Sequence, residues 1–116
     1  MSSLKIKWLG HAGFRIAFND LNGVDRVIYI DAWLDNPKLP SEFKGKVPDD
    51  ADLILVTHGH FDHSSSAPPM LNASTKKDSK IVAVGDLNRF YQKHHAIPAD
   101  RCEGGNKGGT SEFGWC

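Results

Sequence analysis

Apolar and polar positions alternate with a period of two at the start of the chain. Residues 5–9 set Ile6 and Trp8 against Lys5, Lys7 and Leu9, and residues 14–18 set Phe14, Ile16 and Phe18 against Arg15 and Ala17. Both stretches read as half-buried strands. Gly10-His11-Ala12-Gly13 breaks the pattern between them, and the turn-rich residues 19–23 lead to a third strand over residues 26–30. The expected unit is a meander of short antiparallel strands. Residues 53–56, Leu-Ile-Leu-Val, abandon alternation for a continuous apolar run, the pattern of a central strand buried on both faces. Beyond it the pattern predicts a short helix from Pro68 to about Ala73 with Ser64, Ser65 and Ser66 as candidate caps. A buried strand over residues 80–84 follows, then a helix from Leu87 to about His95 capped by Asp86 and terminated by Pro98. Residues 103–110 read as a glycine-rich turn and residues 111–116 as the start of one more strand. A β meander followed by strand-helix units is an α/β arrangement, and it leaves one sheet face without a cover.

Composition adds bounds. The 116 residues suffice for one domain with one core. With 14 basic and 14 acidic residues the formal charge is zero, so nothing favours nucleic acid or an anionic membrane surface. The first residues enter a strand pattern directly, without a leader or a transmembrane span, which makes the cytoplasm the expected compartment. Cys102 and Cys116 belong to no C-x-x-C pair and read as free thiols.

The chemistry concentrates where the central strand stops. Thr57 is followed by His58-Gly59-His60-Phe61-Asp62-His63, three imidazoles and a carboxylate within six positions. Such a set is costly to bury without a shared cation, and a divalent metal is the cation that accepts both donor types. Gly59 permits a sharp turn that brings His58 and His60 to one side, and a following helical turn would aim Asp62 and His63 at the same cavity. The competing reading is a surface loop that happens to be rich in histidine.

Residues 57–63 resemble the T-H-x-H-x-D-H signature of the metallo-β-lactamase superfamily, and Leu9-Gly10-His11-Ala12-Gly13-Phe14 resembles the opening of a small cytosolic branch of it. The resemblance implies the N-terminal half of an αββα sandwich, so that residues 1–116 form a partial domain whose C-terminal half is absent. It implies that His58 and His60 hold one metal ion and Asp62 and His63 a second. Two Zn²⁺ or other divalent ions in a complete site would share a water and lower its pKa. Hydroxide would then attack an ester, lactone, amide or phosphodiester of a small-molecule substrate, with Asp62 orienting the nucleophile and taking its proton. Asp31 corresponds to an early aspartate that supports a ligand by hydrogen bonding to a histidine, although a strand-ending turn residue is the plainer reading.

His11 and Trp33 are candidate pocket residues. Trp8, Trp33 and Trp115 otherwise read as packing residues, and His94 and His95 as complements to a helix C-terminus. Lys107 is followed by Gly108 and not by Ser or Thr, so the glycine-rich stretch is a turn and not a phosphate loop. The family's remaining ligands lie beyond the matched half, which predicts weak or no hydrolysis by this chain alone. Two alternatives stand beside the hydrolase. One is a metal-binding module without catalysis, and the other is a half-domain completed in trans by a second copy or by a separate C-terminal half.

Overall fold

A computed structural model describes residues 3–105 and 108–116. One six-stranded sheet runs β1 (Leu4–Trp8), β2 (Phe14–Asn19), β3 (Asp25–Ile30), β4 (Leu53–Leu55), β5 (Lys80–Ala83) and β6 (Cys102–Gly104), side by side in chain order. The first three strands are antiparallel and form the expected meander, whereas β3 to β6 are parallel. Parallel neighbours need crossovers, and the two after β4 carry the helices. These are α1 (Phe61–Ser64), α2 (Ala67–Ala73) and α3 (Gly85–His95). The result is the mixed α/β fold that the sequence pattern implies.

All the helical cover lies on one face. Val27, Tyr29, Ile54, Ile81 and Ala83 point there and pack with Met70, Leu71 and Tyr91 of α2 and α3. Pro68 and Pro69 occupy the first turn of α2, where a missing N–H leaves no bond unmade. The opposite face carries a row set by register: Ile6 beside Ile16, Ile16 beside Ile28, then Ile30 beside Leu55 and Leu55 beside Val82. The C-terminal segment covers one end of this row, where Trp115 packs on Phe18 and under the Arg26 guanidinium.

Several expectations are corrected. β1 is not half-buried: Leu4, Ile6 and Trp8 are 63%, 62% and 56% exposed, because this edge strand lies away from the helices, which pack on β4, β5 and β6. Trp8 is therefore not a core residue; its indole N–H donates to the His11 carbonyl at 2.9 Å. The final strand is β6 and not residues 111–116, since positive φ values at Gly108 and Gly114 fold the tail back over the sheet. Of the glycine-rich stretch, Asn106 and Lys107 lie outside the described residues. α3 begins at Gly85 with Val84 as its cap, and Asp86 sits in the first turn, paired with Arg89. Ser66 occupies the cap position of α2 without a capping bond, and its hydroxyl accepts from the Leu34 N–H at 2.9 Å.

Candidate metal centre

The centre grows from the C-terminal end of β4, in the middle of the parallel half of the sheet. Val56 still donates to the Val82 carbonyl at 3.0 Å, and Thr57 then leaves the sheet. α1 starts with His60 as its cap residue, and the N–H groups of His63 and Ser64 both donate to the His60 carbonyl, at 2.9 and 3.0 Å. This single turn places Asp62 and His63 beside the preceding pair. The ring of His58 lies 4.8 Å from that of His60 and 4.1 Å from that of His63, so one cluster holds all three imidazoles. The Tyr91 hydroxyl donates to the Ser64 carbonyl at 2.7 Å and ties the turn to α3. Gly59 is not what makes the bend, contrary to expectation. It is not among the residues at positive φ, and an added Cβ would touch only Leu87 Cδ1, at 3.8 Å.

Asp31 follows β3 at a left-handed φ of 45° and is 5% exposed. Its carboxylate accepts three hydrogen bonds: from the Thr57 N–H at 2.8 Å, from the Thr57 hydroxyl at 2.5 Å and from His63 Nδ1 at 2.9 Å. A carboxylate oxygen can only accept here, so Nδ1 of His63 carries a proton and Nε2 is the ring nitrogen left facing the site. Nε2 lies 3.9 Å from Asp62 Oδ1. His58 Nδ1 is engaged in the same manner, 2.9 Å from the Thr57 hydroxyl.

On the far side of Asp62 stands His11, at the turn between β1 and β2. Its Nε2 is 2.8 Å from Asp62 Oδ2, and its ring is 5.2 Å from that of His63. Partial desolvation pushes the Asp62 carboxyl up, but the hydrogen bond from His11, its own backbone N–H and the nearby His63 together outweigh it, and the net direction is below the ordinary carboxylate range. Trp33 meets the His11 ring edge-on at 5.4 Å and Phe61 at 5.6 Å, forming an aromatic wall beside the donors. Phe61 is 69% exposed.

The residues singled out in the sequence thus meet in one place: His58, His60, Asp62, His63, Asp31, His11 and Trp33. His94 and His95 lie elsewhere, in the last turn of α3, stacked near Phe90. Sequence reasoning missed three features. They are Thr57 as the link between Asp31 and His58, Phe61 as part of the wall, and the direct contact of His11 with Asp62. Thr57 could have been found, because it ends the apolar run and opens the motif.

The donor set fits a divalent ion. One ligand atom from each of His11, Asp62 and His63 lies within 4.8 Å of the others. Donors sharing one ion at bonds of about 2.0–2.2 Å are at most roughly 4.4 Å apart, so this set is close enough in space to share one. Asp31, His58 and His63 form a second such group. There both Asp31 oxygens are already engaged by Thr57 and His63.

A family profile described as a beta-lactamase superfamily domain matches residues 5–116. A UPF0173 metal-dependent hydrolase of Paracoccus denitrificans (strain Pd 1222) is 36% identical over 96% of this chain and 44% of its own length. One from Roseiflexus sp. (strain RS-1) is 38% identical over 92% of this chain and 41% of its own length. A crystal structure of a Parabacteroides distasonis ATCC 8503 protein superposes with a TM-score of 0.53 at 25% identity, covering 77% of this chain and 34% of that one. The chain spans less than half the length of the curated relatives it matches. No helix among the described residues is long and apolar enough to cross a membrane.

Proposed function

The chain belongs to the beta-lactamase superfamily, and we propose that it carries the metal-binding half of a metal-dependent hydrolase. The observation that carries this reading is the chain of hydrogen bonds from Thr57 through Asp31 to His63. It spends a buried carboxylate on fixing one histidine tautomer, an arrangement that serves a metal ligand and has little use in a solvated loop. His58 and His60 supply one pair of donors, and Asp62 and His63 the other. Zn²⁺ suits imidazole and carboxylate together, and another divalent ion of similar preference would also fit.

A divalent ion bound here supplies Lewis acidity toward a carbonyl or phosphoryl oxygen and lowers the pKa of water. The chain's own groups do the rest. Asp31 engages His63 through Nδ1 and leaves Nε2 for the ion, and Asp62, kept ionised beside His11, is placed to orient a nucleophilic water and take its proton. The wall of Trp33 and Phe61 gives an apolar side for a small substrate bearing an ester, lactone, amide or phosphodiester bond. With only His58 and His60 for the first ion, turnover by this chain alone is weak. Hydrolysis of a panel of these bond types with added Zn²⁺ or Mn²⁺ tests the reading. We expect slow turnover that a chelator abolishes; turnover that survives chelation, or a chain that binds no divalent ion, overturns it.

A second reading, completion in trans, is favoured by the apolar face opposite the helices. Ile6 and Trp8 stand exposed beside Ile16 and Phe14, and the row continues across the sheet through Ile28 and Leu55. Sheets cover such faces by packing on another layer about 10 Å away. A second copy of this chain, with zero net charge and the same apolar row, is the partner we propose.

A further inference from the structure

We propose that His11 is a third protein ligand to the ion held by Asp62 and His63, which gives that site two nitrogens and one oxygen from this chain. The proposal rests on the metal-binding reading above and adds a residue outside the histidine-rich loop, from a turn 51 positions earlier in the chain.

The turn is built to hold this ring where it is. His11 has a left-handed φ of 52°, a conformation that few non-glycine residues adopt without a compensating constraint. Three contacts fix it. The Trp8 indole donates to the His11 carbonyl at 2.9 Å, the Leu9 N–H donates to the Gly13 carbonyl at 2.8 Å, and Asn36 Nδ2 donates to the Leu9 carbonyl at 2.9 Å. Gly10 packs so closely that a Cβ there would meet the Lys38 carbonyl carbon and oxygen at 2.7 Å. The turn is therefore packed tightly against residues 36–38. Its side chain is aimed at Asp62, 2.8 Å from Oδ2, and lies between the rings of Trp33 and His63.

The donor chemistry agrees. His11 Nε2–H donates to the Asp62 carboxylate, which can only accept. Ion binding replaces that proton: a neutral imidazole shifts it to Nδ1, and an imidazolium releases it to solvent. Three protein donors with open positions remaining is the ligand count of catalytic sites, whereas a closed structural site takes four. His63 reaches the ion through Nε2, because Asp31 occupies Nδ1. Asp62 uses the carboxylate that faces both histidines.

The rival role for His11 is that of a hydrogen-bond donor that merely orients Asp62. Glutamine separates the two, since it keeps an N–H for Asp62 but is a poor ligand. Zn²⁺ affinity is measured by competition with a chromophoric chelator for the unaltered chain and for His11→Ala, His11→Gln and His63→Ala. Co²⁺ absorption reports the ligand set, and thermal unfolding of the metal-free variants checks that each is folded. We expect both His11 variants to bind more than about a hundredfold more weakly, beyond the loss typical of a supporting residue, with a changed Co²⁺ spectrum. If His11→Gln keeps the original affinity and spectrum while His63→Ala loses both, His11 is not a ligand and the metal-binding reading stands. If His63→Ala also binds unchanged, or the unaltered chain binds no ion, both fail.

Discussion

Asp31→Asn is the most informative single change, because it preserves shape while replacing an acceptor of two hydrogen bonds by a donor. Asparagine tolerates the left-handed φ of 45° and still offers an oxygen to the Thr57 N–H. Its amide nitrogen must then face His63 Nδ1, where the carboxylate accepted at 2.9 Å. A donor opposite Nδ1 forces the His63 proton onto Nε2, the nitrogen the ion needs. The same amide nitrogen faces the Thr57 hydroxyl, which must turn its proton toward His58 Nδ1, 2.9 Å away, so the His58 tautomer is reversed along with that of His63. The fold should lose about 1–2 kcal/mol, the range for one buried hydrogen bond. Metal affinity should fall roughly 10–100-fold, or about 1.4–2.8 kcal/mol. Competition with a chromophoric chelator measures the affinity, and urea unfolding of the metal-free chain measures the stability. A folded Asp31→Asn chain that binds Zn²⁺ as tightly as the original would refute the reasoning, since the carboxylate would then not set the histidine's tautomer.

Three further outcomes follow from the geometry. Gly10→Ala combines a φ of 84° with a Cβ 2.7 Å from the Lys38 backbone. It should cost roughly 2–5 kcal/mol in urea unfolding, whereas Gly59→Ala, with only Leu87 at 3.8 Å, should be nearly neutral. Asp20 is held below its ordinary 3.8 by the Val24 backbone N–H and by Arg26 against the opposing effect of desolvation. For Asp50 desolvation pushes upward, but Arg15 and Tyr29 outweigh it and the direction is again downward. Depressed folded-state values mean stability that is complete above the unfolded carboxyl range and is lost as pH falls through the lower, folded values. The melting temperature should therefore be flat at neutral pH and drop below about pH 4. Finally, light scattering should show a dimer, and Ile6→Glu, which puts a charge on the apolar row, should give a monomer with unchanged secondary structure; a monomeric starting chain would end the trans reading.

What the sequence disclosed and what it hid follow from distance along the chain. The meander, the central strand and the turn of α1 were legible because each is written in neighbouring residues, as period-two alternation, a continuous apolar run and a local hydrogen-bond pattern. Strand β6 was not, because Cys102-Glu103-Gly104 has no strand character of its own and is extended by pairing with β5. Exposure of β1 was hidden for the opposite reason: its alternation is strong, but alternation cannot say whether a layer lies against the apolar side. Within the candidate site, the four-residue donor set and the helical turn are local. The contacts of Asp31 with His63 and of His11 with Asp62 span 32 and 51 positions, and only the fold brings them together. Family resemblance pointed to Asp31 as the hydrogen-bond partner of a histidine and to His11 as a pocket residue; the geometry identifies that histidine as His63 and shows His11 gripping the Asp62 carboxylate.

The central claim is that the loop after β4 holds a divalent ion through Asp62 and His63. Its most direct test is the zinc content per chain after dialysis against Zn²⁺, for the unaltered chain beside His63→Ala. Bound zinc is expected in the unaltered chain, and its loss in a His63→Ala chain that remains folded. No zinc in the unaltered chain, or equal zinc in both, would contradict it.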